Sequence, residues 1–162
     1  MTTPGSERSA DAVRAAARLA KVSGSALADA DLTLPQYRVL VFLVARGRPA
    51  THVAALLGVT PSTVTSVVDG LVARGLVQRS SDPADRRRVV LSLTAAGADT
   101  VRLGDEVVGA ALDRLLARLA PDEAETALVG LELLNKAMEA ALDERFGAHA
   151  DPTPLSDPAP PS

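Results

Sequence analysis

Residues 58–94 read GVTPSTVTSVVDGLVARGLVQRSSDPADRRRVVLSLT. Gly58 supplies a sharp turn. Thr60 is a good N-cap, and Pro61 suits the first helical position after it. Val64, Val67, Val68 and Leu71 then recur at helical spacing, which predicts a helix over Pro61 to Arg74 with one face on a core, closed by Gly75. Leu76 to Arg79 reads as a short strand, SSDPAD as a turn cluster, and Val89 to Leu93 as the β-branched returning strand. Turn, capped helix and arginine-loaded hairpin, in that order, predict a winged helix-turn-helix.

Upstream, Ala50 to Leu57 predicts the first, short helix of that motif. Pro35 to Arg46 predicts a helix whose Val39, Leu40, Phe42, Leu43 and Val44 are apolar on nearly every side, as expected of a central, buried element. Glu7 to Leu27 predicts an N-terminal helix with Val13, Ala16, Ala17 and Ala20 on one face. The polar stretch from Ala28 to Thr33 reads as a linker. Downstream, Ala95 to Leu119 predicts a long helix, and Ala120-Pro121-Asp122-Glu123 opens another with acidic residues in its first turn. The expected class is therefore mainly α: a winged helix-turn-helix with a two-stranded β-wing, flanked by N- and C-terminal helices. The expected organisation is a disordered N-terminus over 1–6, one domain over 7–146, and a disordered tail over 147–162, where five prolines stand among few apolar residues.

Composition narrows the function. The 162 residues suffice for one domain with a sizeable core. The absence of cysteine removes disulfides, thiolate metal sites and thiol-based sensing. Two histidines, His52 and His149, make a poor basis for a metal cluster. The longest strongly apolar run, Val39 to Ala45, is far shorter than the roughly 20 residues that span a bilayer. No N-terminal stretch resembles a signal peptide, so a soluble, cytoplasmic protein is expected. The net charge of −3 hides a strong asymmetry. Residues 48–94 hold six arginines against three aspartates, whereas residues 95–162 hold five basic against thirteen acidic side chains. Local field, not total charge, decides where a phosphate backbone lands, and here it favours the winged segment.

Ser62, Thr63, Thr65 and Ser66 give the predicted recognition helix a short, hydroxyl-rich N-terminal face. Such a face lets a helix sit deep in a major groove roughly 12 Å wide, and its hydroxyls can meet phosphates or base edges. Ser and Thr are also common near any helix cap, so these four alone leave both readings open. The wing separates them. Asp85-Arg86-Arg87-Arg88 places three mutually repelling guanidiniums at a hairpin tip, an arrangement useful mainly for binding a polyanion. In an extended tip, Asp85 can steady Arg87 for entry into a narrow minor groove. A solvated, salt-bridged loop is the ordinary alternative.

The segments LPQYRVLVFLVARG, HVAALLGVTPSTVTSVVDGLVARGLVQR and SDPADRRRVVLSLTAAG together resemble the multiple antibiotic resistance regulator (MarR) family, from about Leu34 to Gly97. The resemblance implies a homodimer with interlocked first and last helices (about 7–27 and 95–146), and a DNA-binding lobe over about 32–94. It implies two recognition helices in successive major grooves of a pseudo-palindrome. It places Ser62, Thr63, Thr65 and Ser66 at recognition positions, Arg74 at a backbone-contact position, Asp85 and Arg87 at the wing pair, and Arg86 and Arg88 near phosphates. Gly70 departs from the family, where a longer, often basic residue is common. The resemblance also implies a small aromatic or anionic effector between the dimer helices and the DNA lobe, with Arg14, Arg18, Tyr37, Arg38 and His52 as polar candidates. Each of these has an ordinary reading: a core tyrosine, solvated or paired arginines, a surface or phosphate-contacting histidine. Apart from the resemblance, the last helix carries more apolar surface than one small winged domain needs to cover, which favours dimerisation.

The expected function is a sequence-specific regulator of transcription, in the repressor mode, relieved by a ligand. An architectural or non-specific DNA binder and a winged-helix protein-interaction module are the alternatives. No nucleophile–base motif, catalytic carboxylate pair, metal spacing or phosphate loop points to an enzyme, and no cofactor is implied.

Overall fold

The computed structural model describes residues 4–44, 48–49, 53, 61–81 and 89–146. Helix α1 spans Pro4–Ala26 and runs into a 3-10 helix at Leu27–Ala30. Helix α2 spans Leu34–Val44, strand β1 Arg48–Pro49 and helix α3 Pro61–Ala73. Strands β2 (Val77–Ser81) and β3 (Val89–Leu93) follow, then helices α4 (Ala95–Leu116) and α5 (Pro121–Phe146). The predicted helix over 50–57 lies outside the described residues except Val53, which is helical and fully buried. The chain divides into two units, Met1–Ala124 and Glu125–Ser162, each treated by itself.

The mainly helical winged architecture matches the expectation. The two-stranded wing is present: β2 and β3 pair antiparallel from Val77↔Leu93 to Ser81↔Val89. The structure adds a two-residue strand to it, since β1 pairs with β3 on the other side through Arg48↔Leu91 and Pro49↔Val90. The strand order β1-β3-β2 makes β3 central, which is why Leu91 is fully buried while β2 buries only Val77.

Several boundaries differ from the sequence reading. Helix α1 begins at Pro4, three residues before the predicted start at Glu7; proline is suited to the first helical position. The stretch read as a linker, 28–33, is structured. Leu27, Ala30 and Leu32 are buried, because the apolar residues at its two ends meet when the chain closes on itself. The next helix is capped reciprocally: the Thr33 N–H donates to Gln36 Oε1 at 2.9 Å, and the Gln36 N–H to Thr33 Oγ1 at 3.4 Å. Helix α2 is less uniformly buried than its composition suggests. Val39, Leu40 and Leu43 are inside, but Val41 and Val44 are exposed.

The core of the first unit gathers Leu27, Leu40, Val53, Val64, Leu71, Leu76, Leu91 and Val101 from nearly every element. Burying each such side chain contributes about 1.5–3 kcal/mol relative to leaving it in water. The face of α1 containing Val13, Ala16 and Ala17 lies outside that core, and all three are exposed.

One joint fixes the wing against the helices. The Thr94 hydroxyl donates to the Gly75 carbonyl at 2.7 Å and accepts from the Gly97 N–H at 3.0 Å, capping α4 while holding the end of α3. The Thr94 N–H donates to the Leu76 carbonyl at 3.1 Å. Gly97 lets that carbonyl lie against the first turn of α4: a Cβ there would sit 2.0 Å from the Leu76 oxygen. Neither backbone can yield cheaply. Gly97→Ala is therefore expected to destabilise the protein by about 3 kcal/mol, lowering the melting temperature by roughly 6–12 °C. Helix propensity alone would act in the opposite direction by up to about 1 kcal/mol, so a thermal melt separates the two.

Candidate nucleic-acid interface

Helix α3 turns Val64, Val68 and Leu71 into the core and leaves Thr65, Ser66 and Asp69 exposed. This is the two-faced pattern that the valine spacing predicted. Ser62 and Thr63 fall in its first turn, and their side chains lie outside the described residues. Thr65 and Ser66 thus form the described part of the predicted hydroxyl face. Gly70 lies toward Gln36 of α2, with a notional Cβ 4.0 Å from Gln36 Nε2, so the site has room for a side chain.

The hairpin stands beside this helix. Arg79 of β2 pairs with Asp69 of α3 at 2.5 Å, tying the outgoing strand to that helix. Both groups are exposed, so the pair contributes little stability. Its effect is to hold the base of the wing near α3. The register also puts Arg48, Leu91 and Arg79 in one cross-strand row. Arg79 was missed by sequence reasoning, because nothing in VQRS marks its contact with a residue ten positions earlier. Residues 82–88 join the paired ends Ser81 and Val89 and lie outside the described residues, as do the predicted wing residues Asp85, Arg86, Arg87 and Arg88.

Arg74, the predicted backbone-contact residue, lies just past the end of α3. Its guanidinium reaches Asp31, 43 residues earlier, through Nη1 to the carbonyl at 2.8 Å and Nη2 to the carboxylate at 3.0 Å.

The described candidate effector residues lie on two helices, α1 and α2. Arg14 pairs with Asp11 one turn before it on exposed α1, and Arg18 is also exposed. Arg38 is exposed on α2, and His52 lies outside the described residues. Tyr37 is half-buried between α2 and α4, where its hydroxyl donates to Asp105. The Tyr37 ring lies close to Gly104, which has no side chain to block it. Burial, then the hydrogen bond to Asp105 and the negative charge of that carboxylate, push the phenol well above its usual range. Among the described residues no cluster of His, Cys, Asp and Glu is arranged to hold a metal ion, and no helix is long and apolar enough to cross a membrane.

The sequence model of the MarR family matches residues 30–88. The HTH-type transcriptional regulator YfiV of Bacillus subtilis is 34% identical over 115 residues, covering 70% of this chain and 72% of that protein. The chain belongs to the MarR family. Members are transcriptional regulators, not enzymes. Among solved structures, wild-type MarR of E. coli in its apo form superposes with a TM-score of 0.69 at 26% identity, covering 83% of this chain and 97% of MarR. The transcriptional repressor CouR, bound to a 23-mer DNA duplex, superposes with a TM-score of 0.64 at 30% identity, covering 82% of this chain and 92% of CouR. The match of sequence and fold makes this chain a DNA-binding transcriptional regulator of the MarR type.

Tyr37 is the only tyrosine and the chain has no tryptophan, so its ionisation can be followed alone by phenolate absorbance. The folded pKa lies above the unfolded value of about 10. The neutral phenol therefore stabilises the fold below pH 10, and that contribution falls as pH rises past it. Phenolate is expected to form only above the ordinary range, and Tyr37→Phe to remove part of the alkaline loss of stability. Titration near pH 10 in the folded protein would contradict the Tyr37–Asp105 geometry.

Proposed function

We propose that this regulator is a homodimeric, sequence-specific repressor that binds a pseudo-palindromic operator and is released by a small aromatic or anionic molecule. The observation that supports it is the two-faced helix α3 with the paired hairpin beside it, linked by Asp69 and Arg79. In this reading Ser62, Thr63, Thr65 and Ser66 face the major groove. Arg87, steadied by Asp85, enters the minor groove, and Arg86 and Arg88 meet phosphates. The DNA complex of CouR supports the same use of the fold.

Dimerisation is supported by apolar surface that is open in the single chain. Val13 of α1 is exposed, as are Leu128, Leu133, Leu134 and Met138 of α5. Covering these faces with a second copy gives the two-fold symmetry that paired half-sites require. The repressor mode is the reading that the family resemblance favours. A ligand that binds the DNA-incompetent spacing of the two lobes more tightly shifts the equilibrium by its differential affinity. Arg14, Arg18, Tyr37, Arg38 and His52 are the polar groups offered for it, and a ligand that accepts the Tyr37 O–H must displace Asp105, whereas one that donates to the phenol oxygen need not.

Arg87→Ala is expected to weaken operator binding about tenfold or more and to reduce the salt dependence by about one unit of log–log slope per lost phosphate-like contact. The dimer should persist in sedimentation. Unchanged affinity at fixed salt would contradict the wing assignment, and equal affinity for operator and random duplex would favour a non-specific binder.

A further inference from the structure

Two helix ends in this chain close in the same way. After the 3-10 helix, the Asp31 N–H donates to the Ala28 carbonyl at 3.1 Å and the Leu32 N–H to the Leu27 carbonyl at 3.0 Å. After α3, the Gly75 N–H donates to the Val72 carbonyl at 2.9 Å and the Leu76 N–H to the Leu71 carbonyl at 3.0 Å. In both, the residue beyond the cap turns left-handed and the flanking apolar residues meet. Leu27, Leu32, Leu71 and Leu76 are all buried.

The left-handed residue is Gly75 at φ 69° in one closure and Asp31 at φ 52° in the other. Glycine takes that conformation freely, whereas an aspartate has its Cβ crowded against the backbone. The carboxylate at this position is almost fully exposed, so it does not serve to satisfy a buried group. It serves Arg74. One guanidinium holds the carbonyl and the carboxylate of the same residue, and a planar fork on two oxygens fixes direction as well as distance. Arg74 immediately precedes Gly75, so this one side chain joins the two closures.

We infer that Arg74 is a positioning residue: with Asp31 it forms a clasp that sets the C-terminal end of the recognition helix against the turn that follows the N-terminal helix. Arg74 thereby acts on DNA through the placement of α3, not through a phosphate. The inference rests on the DNA-binding reading above. It also reverses an electrostatic expectation. Removing an acidic side chain should, by charge alone, favour a polyanion; removing Asp31 should weaken binding.

The test uses the full chain and a duplex that it selects from genomic DNA. Asp31→Gly keeps the left-handed turn and deletes the carboxylate, and Asp31→Asn keeps the volume and deletes the charge. Arg74→Ala and Asp31→Gly are each expected to weaken binding about three- to tenfold in the dimer, with the salt slope unchanged. The double variant should bind no worse than the weaker single variant. Amides of the last turn of α3 should exchange faster in both single variants, while the melting curve stays cooperative. A salt slope flattened by about one per protomer in Arg74→Ala, with Asp31→Gly neutral or tighter, would make Arg74 a phosphate contact and overturn the clasp. If the wild-type chain binds no duplex, the DNA reading fails by itself. Hydrogen exchange then still decides the clasp: faster last-turn exchange in both variants supports it, and unchanged exchange overturns it.

Discussion

The approach of the Leu76 carbonyl to the first turn of α4 is the constraint on which the winged part of the molecule depends. It exists because residue 97 has no side chain. Thr94 completes it, with one hydroxyl capping α4 and holding the Gly75 carbonyl. Gly75 is also where α3 ends and β2 is about to begin. Helix α3, the outgoing wing strand and the long helix α4 therefore meet within a few backbone groups. A shift of any one of them breaks hydrogen bonds belonging to the other two, and buried backbone groups left without partners are costly.

Around that joint, helix α3 is oriented by contacts of low individual energy. Val64, Val68 and Leu71 press it into the core and supply most of its stability. Burial does little to resist a helix sliding or rolling on its apolar face. The polar ties to Arg79 and Asp31 act on that freedom, one on the exposed middle of the helix and one at its end. Exposed ion pairs add little to the free energy of folding. They limit geometry, and recognition of bases depends on geometry, since side chains must meet base edges at hydrogen-bond distance.

What was legible in the sequence follows from what periodicity and turn chemistry report. The valine spacing gave α3 its buried face, Gly75 its end, and the alternating residues 89–93 the returning strand, because each signal is local. The polar stretch 28–33 misled for the same reason. Its composition reads as a linker, yet Leu27 and Leu32 close on each other over an aspartate in a position where glycine is usual. Strand β1 is two residues long and offers no alternation to detect. The partners of Arg74 and Tyr37 lie 43 and 68 residues away, and nothing in their own segments announces them. The Arg74–Asp31 contact exists only once the fold brings the two residues together.

Selection of bound fragments from genomic DNA of the source organism, with purified protein at near-physiological salt, tests sequence-specific recognition by a dimer most directly. Recovery of a short inverted repeat with half-sites about one helical turn apart is the expected result. Recovery of fragments without a shared sequence, or of none, would contradict it.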